Sequence, residues 1–406
     1  MTLYDPYDAA IQEDPFPVYR RLRDEAPTYW NPDRRFWALS RFEDLWTAVH
    51  DHARFSSAQG IVLGQDVAQD VTDLLPMMIM MDPPRHDQLR RLVSRAFAPR
   101  SIAAMEASIR AVADELIDTL PAEGGDFVEL YAGRLPMTVI AVMLGVPVED
   151  RDQFRGWSDD LAQVSPDDPA SVARALQGSA GILGYLPPLL EERRVQPRDD
   201  LISALLAAEI DGERLGDSEI LGTCFLLLTA GNETTTNLIS NALMMLEQQP
   251  DVRRQVIGDR SLLPSFIEEV LRLESPVQGL TRTLTENVVM HGERMSAGDK
   301  VLLLYGSANR DEREYPDADT LVMGRRCERA LAFGHGIHYC LGASLARLES
   351  RIAFEQLFER VPDIRIAEGA QRVHSGPIRG FERLPVQLPG GTSPRANGGP
   401  RADGGS

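Results

Sequence analysis

The stretch FGHGIHYCLG, residues 333–342, decides how this chain is read. Glycines at 334 and 336 permit a tight turn that residues with a Cβ resist. Cys340 follows the turn, and an amphipathic helical pattern, LGASLARLESRIAFEQLF, begins directly after it. A cysteine at that place lies where orphan backbone N–H groups and the helix dipole favour its thiolate. Such a thiolate suits metal ligation or nucleophilic attack. Gly342 removes a side chain two residues on and would let a flat group approach the backbone. The plainer alternative is a buried structural cysteine, the usual state of a free thiol. Zinc fits poorly, because His335, His338, Cys340 and Cys327 match no paired Cys/His spacing.

Around this segment lies a chain of 406 residues, 43% hydrophobic and 25% charged, which excludes collagen-like, disordered and disulfide-scaffold classes. The formal net charge of −19 argues against a general nucleic-acid or anionic-membrane binder. Lys300 is the sole lysine, which argues against Schiff-base chemistry. Cys224, Cys327 and Cys340 are too few, and odd in number, for a disulfide framework. A reducing cytoplasm fits them best. The N-terminus has no basic region followed by an apolar one, so no signal peptide is expected. The longest apolar run, near 221–231, falls short of the ~20 residues a membrane span needs. Residues 389–406 are rich in Gly and Pro and are expected to be a disordered tail after one domain over 1–388.

The pattern is mainly helical. Periodicity and cap residues predict helices near 15–25, 41–50, 83–96, 101–120, 128–144, 148–164, 168–194, 199–208, 217–248, 262–274 and 341–360. Asp217 is the candidate cap of the longest. Strand-like runs at 36–39, 288–291, 301–304 and 384–388 suggest a small sheet assembled from both ends of the chain.

Three further constellations carry chemistry. LLLTAGNETTTN, 226–237, lies mid-way along the long helix, which would span about 45 Å. Gly231 and three consecutive threonines are poor helix formers. The Thr234 hydroxyl can bond back to the carbonyl of Ala230 and bend the helix, leaving a groove beside Glu233. FIEEVLR places Glu269 and Arg272 on one helix face, three residues apart, where Arg325 could complete a buried Glu–Arg–Arg network. His86 and Arg90 share a helix face, and with Arg282 and His338 they could meet two carboxylates of a buried ligand.

Together these residues resemble the cytochrome P-450 family of haem-thiolate monooxygenases, in its soluble bacterial form. The resemblance covers about residues 1–388, with the motifs in the family's order. FGHGIHYCLG resembles the haem loop, AGNETT the oxygen-activation motif, EVLR the ExxR helix, and ANRDEREYPDAD the stretch leading to the triad arginine. LVMGRR lacks the Phe-Asp pair usual before that arginine, which is placed at Arg325. The implied fold is mainly α with a small β-rich lobe, the haem lying between the long central helix and the helix after the Cys loop. The implied cofactor is haem b, with Cys340 as its proximal ligand and Phe333 near the sulfur. His86, Arg90, Arg282 and His338 would bind its propionates. Ala230 and Gly231 would lie over the distal face, and Gly342 would let the haem approach. Glu233 and Thr234 would be the acid–alcohol pair that supplies protons to O2. Electrons would come in trans from ferredoxin and ferredoxin reductase, at a local basic patch of Arg91, Arg95, Arg326, Arg329 and Arg347.

The resemblance also implies a substrate pocket drawn from Gly60, Ile61, Val62, Leu63, Leu227, Ala230, Val277, Leu280 and Ile378. These are mostly aliphatic, with Arg379 adjacent, which suits a sizeable apolar secondary metabolite: polyketide, macrolide, terpenoid or steroid. Insertion of one oxygen atom into a C–H or C=C bond is the expected reaction. Rival readings are a peroxide-driven peroxygenase, a non-catalytic haem-binding protein and a thiol enzyme using Cys340. The acid–alcohol pair argues against the first two, and the ExxR match against the third.

Overall fold

The computed structural model describes residues 2–64, 75–162, 169–210 and 212–390. The expected tail lies outside the described residues from 391 onward, as do 163, 164 and 168 at the ends of two expected helices.

The organising element is the helix Asp217–Gln248, whose 32 residues extend ~48 Å. Its cap differs from expectation. Gly216 is the N-cap, and its N–H donates to the Glu219 carboxylate at 3.0 Å. A carboxylate three residues into a helix reaches back to that group, as in a capping box. Asp217 is already helical and pairs with Arg194 instead. The helix ends at Gln249, and Pro250 opens the next helix, Pro250–Gly258, at a position where its missing N–H is no loss.

Helices Arg134–Leu144, Leu263–Leu273 and Ala343–Arg360 pack around the central helix. The shared core includes Ile239, Leu243, Leu135, Phe266, Phe354 and Leu357, all essentially inaccessible. Two expected helices are divided. The 101–120 stretch splits at Met105 into Pro99–Ala104 and Glu106–Asp118. The 128–144 stretch begins as a π-turn, Val128–Ala132, before Arg134–Leu144, which Gly145 ends at φ 77°.

The main sheet has five strands in the order Thr28–Asn31, Phe36–Leu39, Lys300–Leu303, Leu280–Leu284, Phe55–Ser56. Phe36–Leu39 and Lys300–Leu303 run parallel; the other pairs are antiparallel. Strands distant in sequence do meet, but the C-terminal run joins a different sheet, where Pro385–Gln387 lies between Arg365–Ile366 and Gly125–Asp126. Val288–Met290 forms a separate hairpin with Glu293–Met295. Its turn is His291–Gly292, both at positive φ, as a two-residue hairpin loop requires.

Candidate active site

The 333–342 loop is shaped by its glycines. Gly334 and Gly336 have φ of 63° and 69°, in the left-handed region. A Cβ on Gly336 would also lie 2.3 Å from the Val49 carbonyl oxygen, at the end of helix Phe42–His50. The Cys340 N–H donates to the Phe333 carbonyl at 2.9 Å and closes the turn. The helix proper starts at Ala343 with Gly342 as N-cap, two residues later than expected.

Burial pushes the Cys340 thiol above its ordinary value. The N–H groups of Gly342 and Ala343 and the guanidiniums of Arg90 and Arg347 pull it down, but less strongly. The expected pull of the helix N-terminus toward a thiolate is present, but desolvation outweighs it. A coordinating metal reverses this, because a metal-bound thiol is deprotonated outright. Although desolvation dominates there, the residue keeps intermediate exposure, so it borders a hollow. Among the described residues, nothing lies within 4 Å of where a Gly342 Cβ would stand.

Beside this loop the four expected donors come together. His86, on helix Arg85–Val93, is wholly buried. Its Nδ1 meets the Asp87 carboxylate at 2.9 Å, and its Nε2 has no partner among the described residues. The His338 Nε2 is likewise buried and unpartnered, and the two rings are 4.5 Å apart. Burial, then Arg282, His86 and Arg90, push His338 down to about 2, so it stays neutral. Arg90 donates to the Tyr339 carbonyl at 2.5 Å. Arg282 is 5% exposed, donates to the Thr281 carbonyl, and has no carboxylate partner among the described residues. Unpaired buried charge is costly. An anionic ligand in the hollow would satisfy this set, so the donors fit a flat cofactor carrying carboxylates.

On the central helix, Thr234 Oγ donates to the Ala230 carbonyl at 2.8 Å, as expected. The helix nonetheless runs unbroken through this stretch. Ala230 is exposed and Leu227, Gly231, Glu233 and Thr234 half-buried, so this part of the helix is incompletely covered. A Cβ on Gly231 would meet only Ile140, at 3.9 Å. Glu233 accepts a bond from Asn237 Nδ2 at 3.3 Å, a contact not foreseen although i,i+4 spacing announces it.

The triad forms as expected, with Glu269 and Arg272 inaccessible and Arg325 half-buried. Arg272 grips Glu269 with two bonds, at 2.6 and 3.0 Å. Arg325 reaches Glu269 at 3.3 Å, whereas Arg326 is exposed. Burial pushes the Glu269 carboxyl up, but the Arg272 bond, the Val322 N–H and the Arg272 charge outweigh it and hold it below the usual range. Cys327, unforeseen here, donates its thiol to the same carboxylate at 3.4 Å.

The remaining residues are dispersed. Val277 and Ile378 form a β-bridge. Val277 and Leu280 pack beside the sheet cluster, and Leu227 beside the helical core. Ile61, Val62 and Leu63 instead line a crevice of about 10 Å³ with Pro6 and Tyr7, too small for a ligand. Leu63 belongs to a core cluster with Tyr4, Tyr19 and Phe36. The Thr281 N–H binds the Ile61 carbonyl at 2.7 Å and draws this loop onto the sheet. Arg379 turns away, bonding Glu274 and the carbonyls of Gln12 and Glu13. The basic patch shrinks too. Arg329 is paired with Glu43 and Glu314, and Arg347 with Glu268. Arg91, Arg95 and Arg326 are exposed without ion pairs among the described residues.

Known proteins resemble this chain over nearly its whole length. The cytochrome P-450 family model matches residues 184–361. The vitamin D(3) 25-hydroxylase of Pseudonocardia autotrophica is 40% identical over 394 residues, covering 95% of this chain and 96% of its own. A solved cytochrome P-450 from Chondromyces apiculatus has a TM-score of 0.87 at 39% identity, covering 95% of this chain and 97% of its own. One from Bacillus megaterium, solved in complex with testosterone, has a TM-score of 0.83 at 35% identity, covering 93% and 99%.

Proposed function

This chain belongs to the cytochrome P-450 family and is a haem-iron monooxygenase, and we propose that it holds haem b through Cys340 and oxidises a sizeable apolar molecule of steroid or vitamin D type. The observation that carries the cofactor assignment is the pair of buried Nε2 atoms of His86 and His338, unpartnered among the described residues, with Arg90 and Arg282 close enough to act on His338. These four side chains would take the propionates. Phe333 and Gly342 would frame the proximal side, and Ala230 and Gly231 the distal one. A thiolate-ligated haem supplies electron push that favours O–O cleavage.

The chain's own part is proton supply and enclosure. The Thr234 hydroxyl spends its hydrogen on the Ala230 carbonyl, so it presents lone pairs and accepts a bond from a proton-bearing partner. Glu233, one residue earlier, is the acid. Leu227, Val277, Leu280 and Ile378 would exclude water and contact substrate. Their aliphatic character, with the Arg379 charge turned away, favours an apolar secondary metabolite. The names of two similar proteins point the same way, one to vitamin D and one to testosterone. Ferredoxin, reduced by its reductase, would dock at Arg91, Arg95 and Arg326. The three cysteines are free, which suits a reducing cytoplasm.

The test of substrate class is a ferric spin-state titration of haem-loaded protein with testosterone, vitamin D3 and a long straight-chain fatty acid. The proposal expects saturable shifts with the polycyclic compounds. A shift with the fatty acid alone would overturn it.

A further inference from the structure

Asn237 is wholly buried on the central helix, and the oxygen chemistry above leaves it without a role. We propose that Asn237 is a positioning residue that holds the Glu233 carboxylate, and that residue 380 is glycine to make room for it. The proposal rests on the reading of Glu233 as the proton-supplying acid.

Asn237 Nδ2 donates to Glu233 Oε1 at 3.3 Å. With the ionised carboxylate as acceptor, the amide nitrogen faces Glu233 and Oδ1 points away. There Oδ1 is buried and meets no donor among the described residues. The amide thus leaves one hydrogen-bonding atom unsatisfied while keeping its bond to Glu233, and unsatisfied buried atoms of this kind are uncommon.

The space that receives Oδ1 is cut by Gly380. A Cβ there would stand 1.8 Å from Asn237 Oδ1 and 2.2 Å from its Cγ. Gly380 is not among the glycines at positive φ, so room alone calls for glycine. This wall is held in place. Asn241, one turn beyond Asn237, donates to the Arg379 carbonyl at 3.0 Å, and the Val373 N–H donates to the Gly380 carbonyl at 3.2 Å. The amide is therefore clamped between Gly380 and Glu233. A carboxylate on a flexible stem samples several rotamers, and one fixed donor selects among them.

The experiment compares haem-loaded wild type with Glu233→Gln, Asn237→Leu, Gly380→Ala and the Glu233→Gln/Asn237→Leu double variant. NADPH oxidation is measured with a plant-type ferredoxin and its reductase, without organic substrate, in H2O and D2O. Infrared difference spectra of the resting ferric proteins, wild type minus Glu233→Gln, isolate the Glu233 carboxylate stretch. Glu233→Gln is expected to slow oxidation about tenfold or more and raise the solvent isotope effect, as loss of a general acid does. Asn237→Leu and Gly380→Ala should each slow it by a smaller factor, about threefold, and shift the Glu233 stretch. The double variant should be no slower than Glu233→Gln, because residues that act through one another are not additive. If Asn237→Leu fails to bind haem, Asn237→Thr replaces it. Wild-type rate and infrared stretch in the 237 and 380 variants, with Glu233→Gln slow, overturn the inference alone. Multiplying effects in the double variant overturn it as well. A silent Glu233→Gln overturns the reading of Glu233 and the inference with it.

Discussion

The 333–342 loop and the proposed substrate wall differ in what holds them. The loop is defined by its own backbone: two left-handed glycines, a closing bond from Cys340 to Phe333, and a helix that starts three residues later. The wall is assembled from Leu227 on a helix, Val277 and Leu280 around one strand, and Ile378 on a distant segment that meets Val277 by a single bridge. A loop fixed by local geometry keeps its meaning wherever it stands in sequence. A wall built from separate stretches has meaning only after folding.

The contrast breaks or sharpens under mutation, most strongly at the support beneath the loop. Arg272→Ala would leave the Glu269 carboxylate and the carbonyls of Asn309, Ala318 and Thr320 without their shared donor. Removing one partner of a buried ion pair costs about 3–5 kcal/mol, so this variant should melt far lower or fail to hold haem. A melting temperature near wild type would contradict the network's role. The depressed value of Glu269 adds a pH dependence. Its stabilisation is complete above the unfolded value of about 4.3 and is lost as pH falls through the lower folded one. Glu269→Gln should therefore be the less stable protein at neutral pH and approach wild type in acid.

Glu349 has the opposite sign. Burial raises it to about 8, and it has no hydrogen-bond donor among the described residues. A raised folded value means full stability below about 4.3 and loss as pH rises toward the folded one. Glu349→Gln should outlast wild type at pH 8 by on the order of a few kcal/mol, with the gap closing toward acid. Thermal unfolding across that range checks it, and a pH-independent gap would contradict it.

Gly336→Ala tests the loop itself. The left-handed backbone costs a side chain roughly 1–2 kcal/mol, before the clash with Val49 is counted. Stability and haem retention should both fall; unchanged haem affinity would show that the loop adapts.

The smallest effects separate wall from core. Leu63→Ala should lower stability by about 2 kcal/mol while leaving spin-shift affinities alone, because Leu63 packs with Tyr4 and Phe36. Leu227→Ala should do the reverse, changing ligand affinity about tenfold with little change in melting. The opposite pattern would return Leu63 to the pocket.

Legibility in the sequence follows the same division. The Cys loop, the Thr234–Ala230 bond, the Glu269–Arg272 pair and the His86–Arg90 pair carry short-range spacings that physical rules interpret, whereas Arg325, Arg282 and His338 joined them only through the family resemblance. The long helix was legible from its periodicity and from Pro250. Leu280–Leu284 was not, because an inner strand buried by tertiary pairing needs no alternation of its own, and Thr28–Asn31, a four-residue edge strand, is too short to carry a pattern. The paired states of Arg329 and Arg347 were hidden for a similar reason: Glu43 and Glu268 reach them from elsewhere in the chain.

The claim on which all this rests is that the Cys340 thiolate binds haem iron. It is tested by the absorption spectrum of purified protein reduced with dithionite under carbon monoxide, beside Cys340→Ser. The account predicts a Soret band at about 450 nm in the wild type and its loss in the variant, since the band reports thiolate ligation. A wild-type protein that takes up no haem, or whose band survives in Cys340→Ser, would contradict it.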